Sequence, residues 1–120
     1  MAFIHVNGVD LYYEVHGMGS PLVMLHGNGE DHTTFDTLCA ALQDRFQVYL
    51  FDTRGHGQST PVREYHYSDM AQDMTEALFQ LFEEPVNLLG FSDGGIIALF
   101  LAIWYPQLVR RMILCGANYY

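Results

Sequence analysis

The sequence contains no lysine. Its positive side chains are five arginines, set against fourteen Asp and Glu, and the formal charge with neutral histidines is −9. An acidic surface repels phosphate backbones and anionic headgroups, which argues against nucleic acid or a membrane surface as partner and otherwise serves solubility. Cysteine is scarce too. Cys39 and Cys115 each lie in an apolar stretch and read as small buried residues of a reducing compartment, with no disulfide framework. The longest apolar run, Ile96 to Tyr105, is half the roughly 20 residues that a membrane span needs. The N-terminus lacks a basic segment and an apolar core, so no signal peptide is expected and a soluble cytoplasmic protein is. There is no repeat, low-complexity tract or linker, and residues 1–120 read as one domain. No G-x-G-x-x-G follows a strand, and Gly17-Met18-Gly19 opens no helix, which removes a dinucleotide-binding domain from consideration. No histidine spacing matches a closed metal-ligand set, and no metal or cofactor is expected.

Half the residues are hydrophobic, enough for a chain of this length to bury about two-thirds of its unfolded surface. The first elements read as a hairpin. Residues 3–6 and 9–15 flank Asn7-Gly8, a pair suited to the positive φ angles of a type I′ turn. Leu11, Tyr13 and Val15 should share one face, with Asp10, Tyr12 and Glu14 on the other. Four short apolar runs follow, at 22–25, 48–51, 86–89 and 112–114. None alternates cleanly with polar residues, as strands of a parallel sheet covered on both faces do not. Helical spacing fills the gaps. Phe35, Leu38, Cys39 and Leu42 form one apolar stripe, with Thr33 and Asp36 as an N-terminal cap. Met70, Met74, Ala77, Leu78 and Leu81 form another, with Ser68 as cap. Residues 94–105 are apolar nearly all round, which predicts a buried helix ending before Pro106. Strands alternating with helices predict an α/β fold with a mostly parallel, doubly wound sheet behind an N-terminal hairpin.

Three segments carry chemistry. Gly90-Phe91-Ser92-Asp93-Gly94, followed by Gly95, lies between the run 86–89 and the helix 94–105. G-x-S-x-G in strand–turn–helix context is a nucleophile elbow, whose turn demands small residues two before and two after the serine. It would lift the Ser92 hydroxyl to a helix N-terminus, where an oxyanion gains from free N–H groups and the helix dipole. His26-Gly27-Asn28-Gly29 follows the run 22–25. Acyl transfer needs two backbone donors at the developing oxyanion. The amides of Asn28 and Asp93 are the candidates, with Gly27 and Gly29 letting the loop approach a substrate. His26 reads as a structural residue that shapes the loop. The third segment runs from Asp52 to Ser59. Asp52, Arg54 and Ser59 read as a loop-ordering network, and His56 as a solvated loop histidine.

These segments, in this order and at these intervals, resemble the α/β-hydrolase superfamily over the whole chain. They are most similar to its small esterases, lactonases and C–C hydrolases. The string Phe91-Ser92-Asp93-Gly94-Gly95 also resembles valacyclovir-hydrolase-like enzymes. The resemblance implies Ser92 as nucleophile, the Asn28 and Asp93 amides as oxyanion hole, and a small-molecule ester or similar acyl substrate. His26-Gly27-Asn28 resembles haloalkane dehalogenases as well, but those enzymes and the epoxide hydrolases carry an Asp nucleophile at the position of Ser92.

In that family the chain order is nucleophile, acid, histidine. Here all six histidines, at 5, 16, 26, 32, 56 and 66, precede Ser92, and the only acid after it is Asp93. The resemblance therefore covers the N-terminal part of the fold, through its sixth strand, without the lid and last strands that supply acid and His. Two consequences are expected. The chain alone should be a very poor ester hydrolase, because a serine hydroxyl without a base is a weak nucleophile. The run 112–114 should form a bare apolar edge, open to pairing with a second copy as a homodimer. A second reading is a non-catalytic module that keeps the fold to bind a ligand or partner. An intact elbow favours the first, because a binding module has no use for an exposed serine on a strained turn. The substrate itself is not legible, since the loops that shape its pocket are not present.

Overall fold

A computed structural model describes residues 2–116. The residues after Gly116, which the sequence reading leaves beyond the last strand, lie outside that range. Six strands form one sheet in the order β1-β2-β4-β3-β5-β6. They are β1 (Ala2–Val6), β2 (Val9–His16), β3 (Ser20–Leu25), β4 (Phe46–Phe51), β5 (Val86–Phe91) and β6 (Val109–Cys115). β1 pairs antiparallel with β2, and β2 antiparallel with β4; every other pair is parallel. Asn7 and Gly8 take φ of 46° and 82°, the two positive values that a type I′ turn requires.

Three helices connect the parallel strands: α1 (Asp36–Leu42), α2 (Tyr67–Leu81) and α3 (Asp93–Trp104). Alternate residues of β3 divide between two cores. Val23 and Leu25 face α2 and α3, with Phe51, Met74, Leu78 and Ile97. Leu22 and Met24 face α1, with Phe35, Cys39, Val48 and Leu50. Burial on both faces is why these runs show no polar alternation.

Three expectations need correction. The cap ahead of α1 is Asp31. Its carboxylate accepts the Thr33 N–H at 2.9 Å and opens a 3₁₀ turn, His32–Phe35, that leads into the helix. Thr33 itself makes no cap, and Ser68 lies inside α2, which begins at Tyr67 behind His66. The hairpin faces divide as predicted, with Leu11 and Tyr13 in the core on the α2 side and Tyr12 and Glu14 together on the other face, beside His32. Tyr12 is nonetheless buried, because the loop after β4 crosses β2, while Val15 is exposed. Tyr12 N–H donates to Ser59 Oγ and Asp52 N–H donates to Tyr12 O, each at 2.9 Å. Finally, α3 is buried on one side only. Ile97, Ala98 and Leu101 are fully enclosed, while Ile103 is 74% exposed. Beside it β6 forms the sheet edge, with Ile113 exposed and Met112 and Leu114 packed against the core. Arg110 and Arg111 are exposed on this edge strand, the kind of charge that blunts edge pairing.

Candidate active site

The elbow is set by steric necessity. Ser92 has φ 55° and ψ −119°, a left-handed conformation for a non-glycine residue. Two contacts hold it there. Its N–H donates to Cys115 O at 2.8 Å, and its carbonyl accepts the Gly95 N–H at 2.9 Å. The turn leaves no room beside it. A Cβ on Gly90 would lie 2.6 Å from Gly94 O and from Gly95 Cα, and one on Gly94 would lie 2.0 Å from Leu25 O. The elbow is therefore pressed against the end of β3, where the loop 26–31 begins.

This contact brings two predicted segments together. A Cβ on Gly27 would come within 3.2 Å of Ser92 Cβ. The loop between β3 and the 3₁₀ turn is folded on itself by Gly27 N–H donating to Glu30 Oε1 at 2.9 Å and Glu30 N–H donating to Gly27 O at 3.2 Å. Asn28 and Gly29 are exposed at its tip. Tyr65 O–H donates to Asn28 Oδ1 at 2.6 Å, and Gly29 N–H donates to His56 Nε2 at 3.1 Å. A recess of about 440 Å³ opens beside Asn28, lined also by Tyr65, His66, Tyr67, Ser68 and Phe100. A larger one of about 680 Å³ lies on the α1 face of the sheet near β6 and is not lined by Ser92.

Residues 20–119 match the family model of the alpha/beta hydrolase fold. The chain belongs to the α/β-hydrolase family. It is similar to the serine hydrolase BPHL of Mus musculus, with 37% identity over 99% of this chain and 43% of the relative. It is also similar to a putative carbamate hydrolase, RutD, of Azorhizobium caulinodans, with 34% identity over 93% of this chain and 43% of the relative. Among solved structures it resembles an esterase from Exiguobacterium antarcticum, with a TM-score of 0.89, 38% identity, and coverage of 96% of this chain and 44% of the other. The chain thus spans less than half the length of these relatives.

Several side chains around this α/β-hydrolase elbow have roles that spacing did not reveal. His26 is buried. Its Nδ1 donates to Gly27 O at 2.7 Å and its Nε2 accepts the Thr53 N–H at 3.2 Å, which assigns a neutral ring. Burial lowers its pKa first of all, with the Gly27 hydrogen bond opposing and the nearby His56 adding to the shift. The folded pKa therefore lies below the unfolded value of about 6.5. The stability this neutral ring contributes is present above about pH 6.5 and is lost as pH falls through the folded value. A His26→Asn chain should lose less stability between about pH 7 and pH 5 than the parent, as urea midpoints at each pH will show.

His56 is not a solvated loop residue; it is 6% exposed and holds the loop 26–31 at Gly29. Its ring stacks edge-on with Tyr65, 4.8 Å between centroids. Arg54 stands apart from the predicted loop network. It reaches α2, where Nε and Nη2 donate to the two oxygens of buried Asp73 at 2.6 and 2.7 Å. Asp52 and Ser59 do order their loop. Asp52 accepts the Gln58 N–H at 2.9 Å, and the Ser59 hydroxyl donates to Asp52 O at 2.6 Å. Tyr67 sits near Asp93; burial first, then a hydrogen bond to the Asp93 carboxylate, raises its phenol pKa.

One group of possible ligand atoms exists among the described residues. Asp31, His32 and Asp52 present atoms within 4.8 Å of one another. Each already serves a hydrogen bond of the fold. Asp31 caps Thr33, and Asp52 Oδ1 accepts from both the backbone and the ring of His32. The group is a hydrogen-bond cluster of the fold.

Proposed function

We propose that this chain carries the nucleophile and oxyanion half of a serine hydrolase for esters or similar acyl bonds. Ser92 is the nucleophile, and the amides of Asn28 and Asp93 receive the oxyanion. The observation that carries the reading is Ser92 held at φ 55° at the N-terminus of α3, against the glycine loop that precedes Asn28. Strain of that kind persists only where the surroundings over-determine it, and it leaves the hydroxyl free. The first amides of α3 have no intrahelical partner, and a helix N-terminus favours the negative charge that a tetrahedral intermediate gathers. The relatives named serine hydrolase and esterase support the reaction class.

The reaction needs a base to take the Ser92 proton as Oγ attacks the carbonyl. Among the described residues no histidine hydrogen-bonds to Ser92. The rings of His5 and His16 serve Asp10 and Glu14, and those of His26, His32 and His56 serve the loops. On its own the chain should hydrolyse a short p-nitrophenyl ester at a rate within about twofold of its Ser92→Ala variant. Free imidazole supplies the missing base. In its presence the parent should rise above the variant by roughly tenfold or more, after subtraction of imidazole's own hydrolysis. Equal rates at every imidazole concentration would sink the assignment of Ser92. A large Ser92-dependent rate without imidazole would show instead that another group, or another copy, supplies the base.

A further inference from the structure

His32 has a carboxylate against each ring nitrogen. Nδ1 lies 2.9 Å from Asp52 Oδ1, and Nε2 lies 3.2 Å from Glu14 Oε2. Nδ1 makes a hydrogen bond to Asp52 and Nε2 stands at ion-pair distance from Glu14, an arrangement that favours hydrogen on both nitrogens and a cationic ring. It is 8% exposed. The groups facing it come from three places. β2 supplies Glu14 and the ring of Tyr12, whose centroid is 5.1 Å away. The loop after β4 supplies Asp52, and the residue before His32 is Asp31. His16 faces it only through Glu14, to which His16 Nε2 bonds at 2.9 Å.

The position matters more than the charge alone. His32 ends the loop 26–31, whose other end is fixed in β3. Its backbone N–H also donates to Asp52 Oδ1, at 2.7 Å. Asp52 is tied in turn to Gln58, and Glu14 to Tyr12. One ring therefore joins the loop carrying Gly27 and Asn28 to the hairpin and to the loop after β4.

We propose that His32 is a positioning residue, a buried imidazolium that holds the oxyanion loop in place and releases it on losing its proton. A neutral ring would lose its attraction to both carboxylates and turn a lone pair toward one of them; Glu14 would keep Tyr12 and His16, and Asp52 the amides of His32 and Gln58, so what is lost is the ring's share of the tie. Burial opposes the charge and is the largest single influence on it. The Asp52 hydrogen bond and the charges of Asp52, Glu14 and Asp31 outweigh it and raise the pKa above the usual value of about 6.5. The sign follows from that direction. The tie is complete below about pH 6.5 and is lost as pH rises through the raised folded value. The inference does not depend on Ser92 being the nucleophile, since it concerns only the order of the loop.

The test is nuclear magnetic resonance on the 120-residue chain from about pH 5 to about pH 9, following the His32 ring and the amide exchange of Gly27, Gly29 and Glu30. The ring should titrate above about 6.5, and the three amides should lose roughly tenfold protection, beyond intrinsic pH dependence, over the same interval. Glu14→Gln should move the ring midpoint down and shift the loop's loosening with it. The double variant Glu14→Gln/His32→Gln places two neutral partners face to face, and its loop exchange should show no such step. A parent ring that titrates at or below about 6.5 overturns the proposal, as does an unchanged step in the double variant. If His32→Gln chains fail to fold, Glu14→Gln, which retains the ring, decides the matter. The Ser92 assay with imidazole stands separately from every one of these outcomes.

Discussion

Replacing Gly94 by alanine is expected to destabilise the chain by more than about 3 kcal/mol, the upper end of what overpacking ordinarily costs. The added Cβ would stand 2.0 Å from Leu25 O and 2.7 Å from His26 O. Both are backbone atoms, so no side chain can swing aside. Either α3 lifts off the sheet or the end of β3 moves, and with it the loop that lies against Ser92. Gly90→Ala should behave alike, because its Cβ would meet the backbone of Gly94 and Gly95 at 2.6 Å. Gly29 provides the control. It has φ 78° and open space around a Cβ, so Gly29→Ala should cost only the conformational penalty of about 1 kcal/mol. Urea unfolding of the three variants measures this directly. Equal losses at Gly29 and Gly94 would mean that the elbow is not packed as tightly as described.

The second large effect is expected at Arg54. Arg54→Ala should cost about 3–5 kcal/mol, because it strands a buried carboxylate. Among the described residues Asp73 has no other cationic partner; Asn7 Nδ2 donates to its Oδ1 at 3.2 Å, which satisfies one oxygen and neutralises nothing. Lysine should rescue only partly, since an ammonium cannot match the two parallel bonds at 2.6 and 2.7 Å. The double variant Arg54→Ala/Asp73→Asn should recover much of the loss, and the coupling energy from the cycle should exceed about 1.5 kcal/mol. A coupling near zero would make the pair a bystander. The effect reaches the site through the chain itself, because the segment from Asp52 to Ser59 also carries His56, the acceptor for Gly29 N–H.

How far the sequence could be read follows from the range of each interaction. The hairpin turn rests on two adjacent residues and their φ preferences, and both angles are positive as expected. The strands at 22–25, 48–51 and 86–89 were visible because two-sided burial writes itself as an unbroken apolar run. The strand–serine–helix junction was visible because the steric demand on Gly90 and Gly94 is local. Caps were misread, since Asp31, Thr33 and Ser68 are all competent cap residues and only the path of the chain selects Asp31. Period two separates Tyr12 from Leu11 and Tyr13 correctly but says nothing of what covers its face, and Tyr12 is buried. The loop from Asp52 to Thr60 closes that face from forty residues away. Spacing places Arg54 in its own loop, but its partner is Asp73 on α2, a helix legible in the sequence only as an apolar stripe.

The sequence by itself therefore determined the order of elements, the hairpin turn and the position of Ser92 at a strand–helix junction, because each is encoded in short-range pattern and local sterics. Only the tertiary structure decided what the histidines do. The sequence suggests a structural role for His26 and a solvated one for His56, and offers nothing for His32. Folding buried all three and gave them different partners: a carbonyl and an amide for His26, an amide for His56, and two carboxylates for His32. The charge state of an imidazole depends on what lies within hydrogen-bond reach of its two nitrogens. Those neighbours come from β2, β3 and the loop after β4, segments that meet only when the sheet has formed.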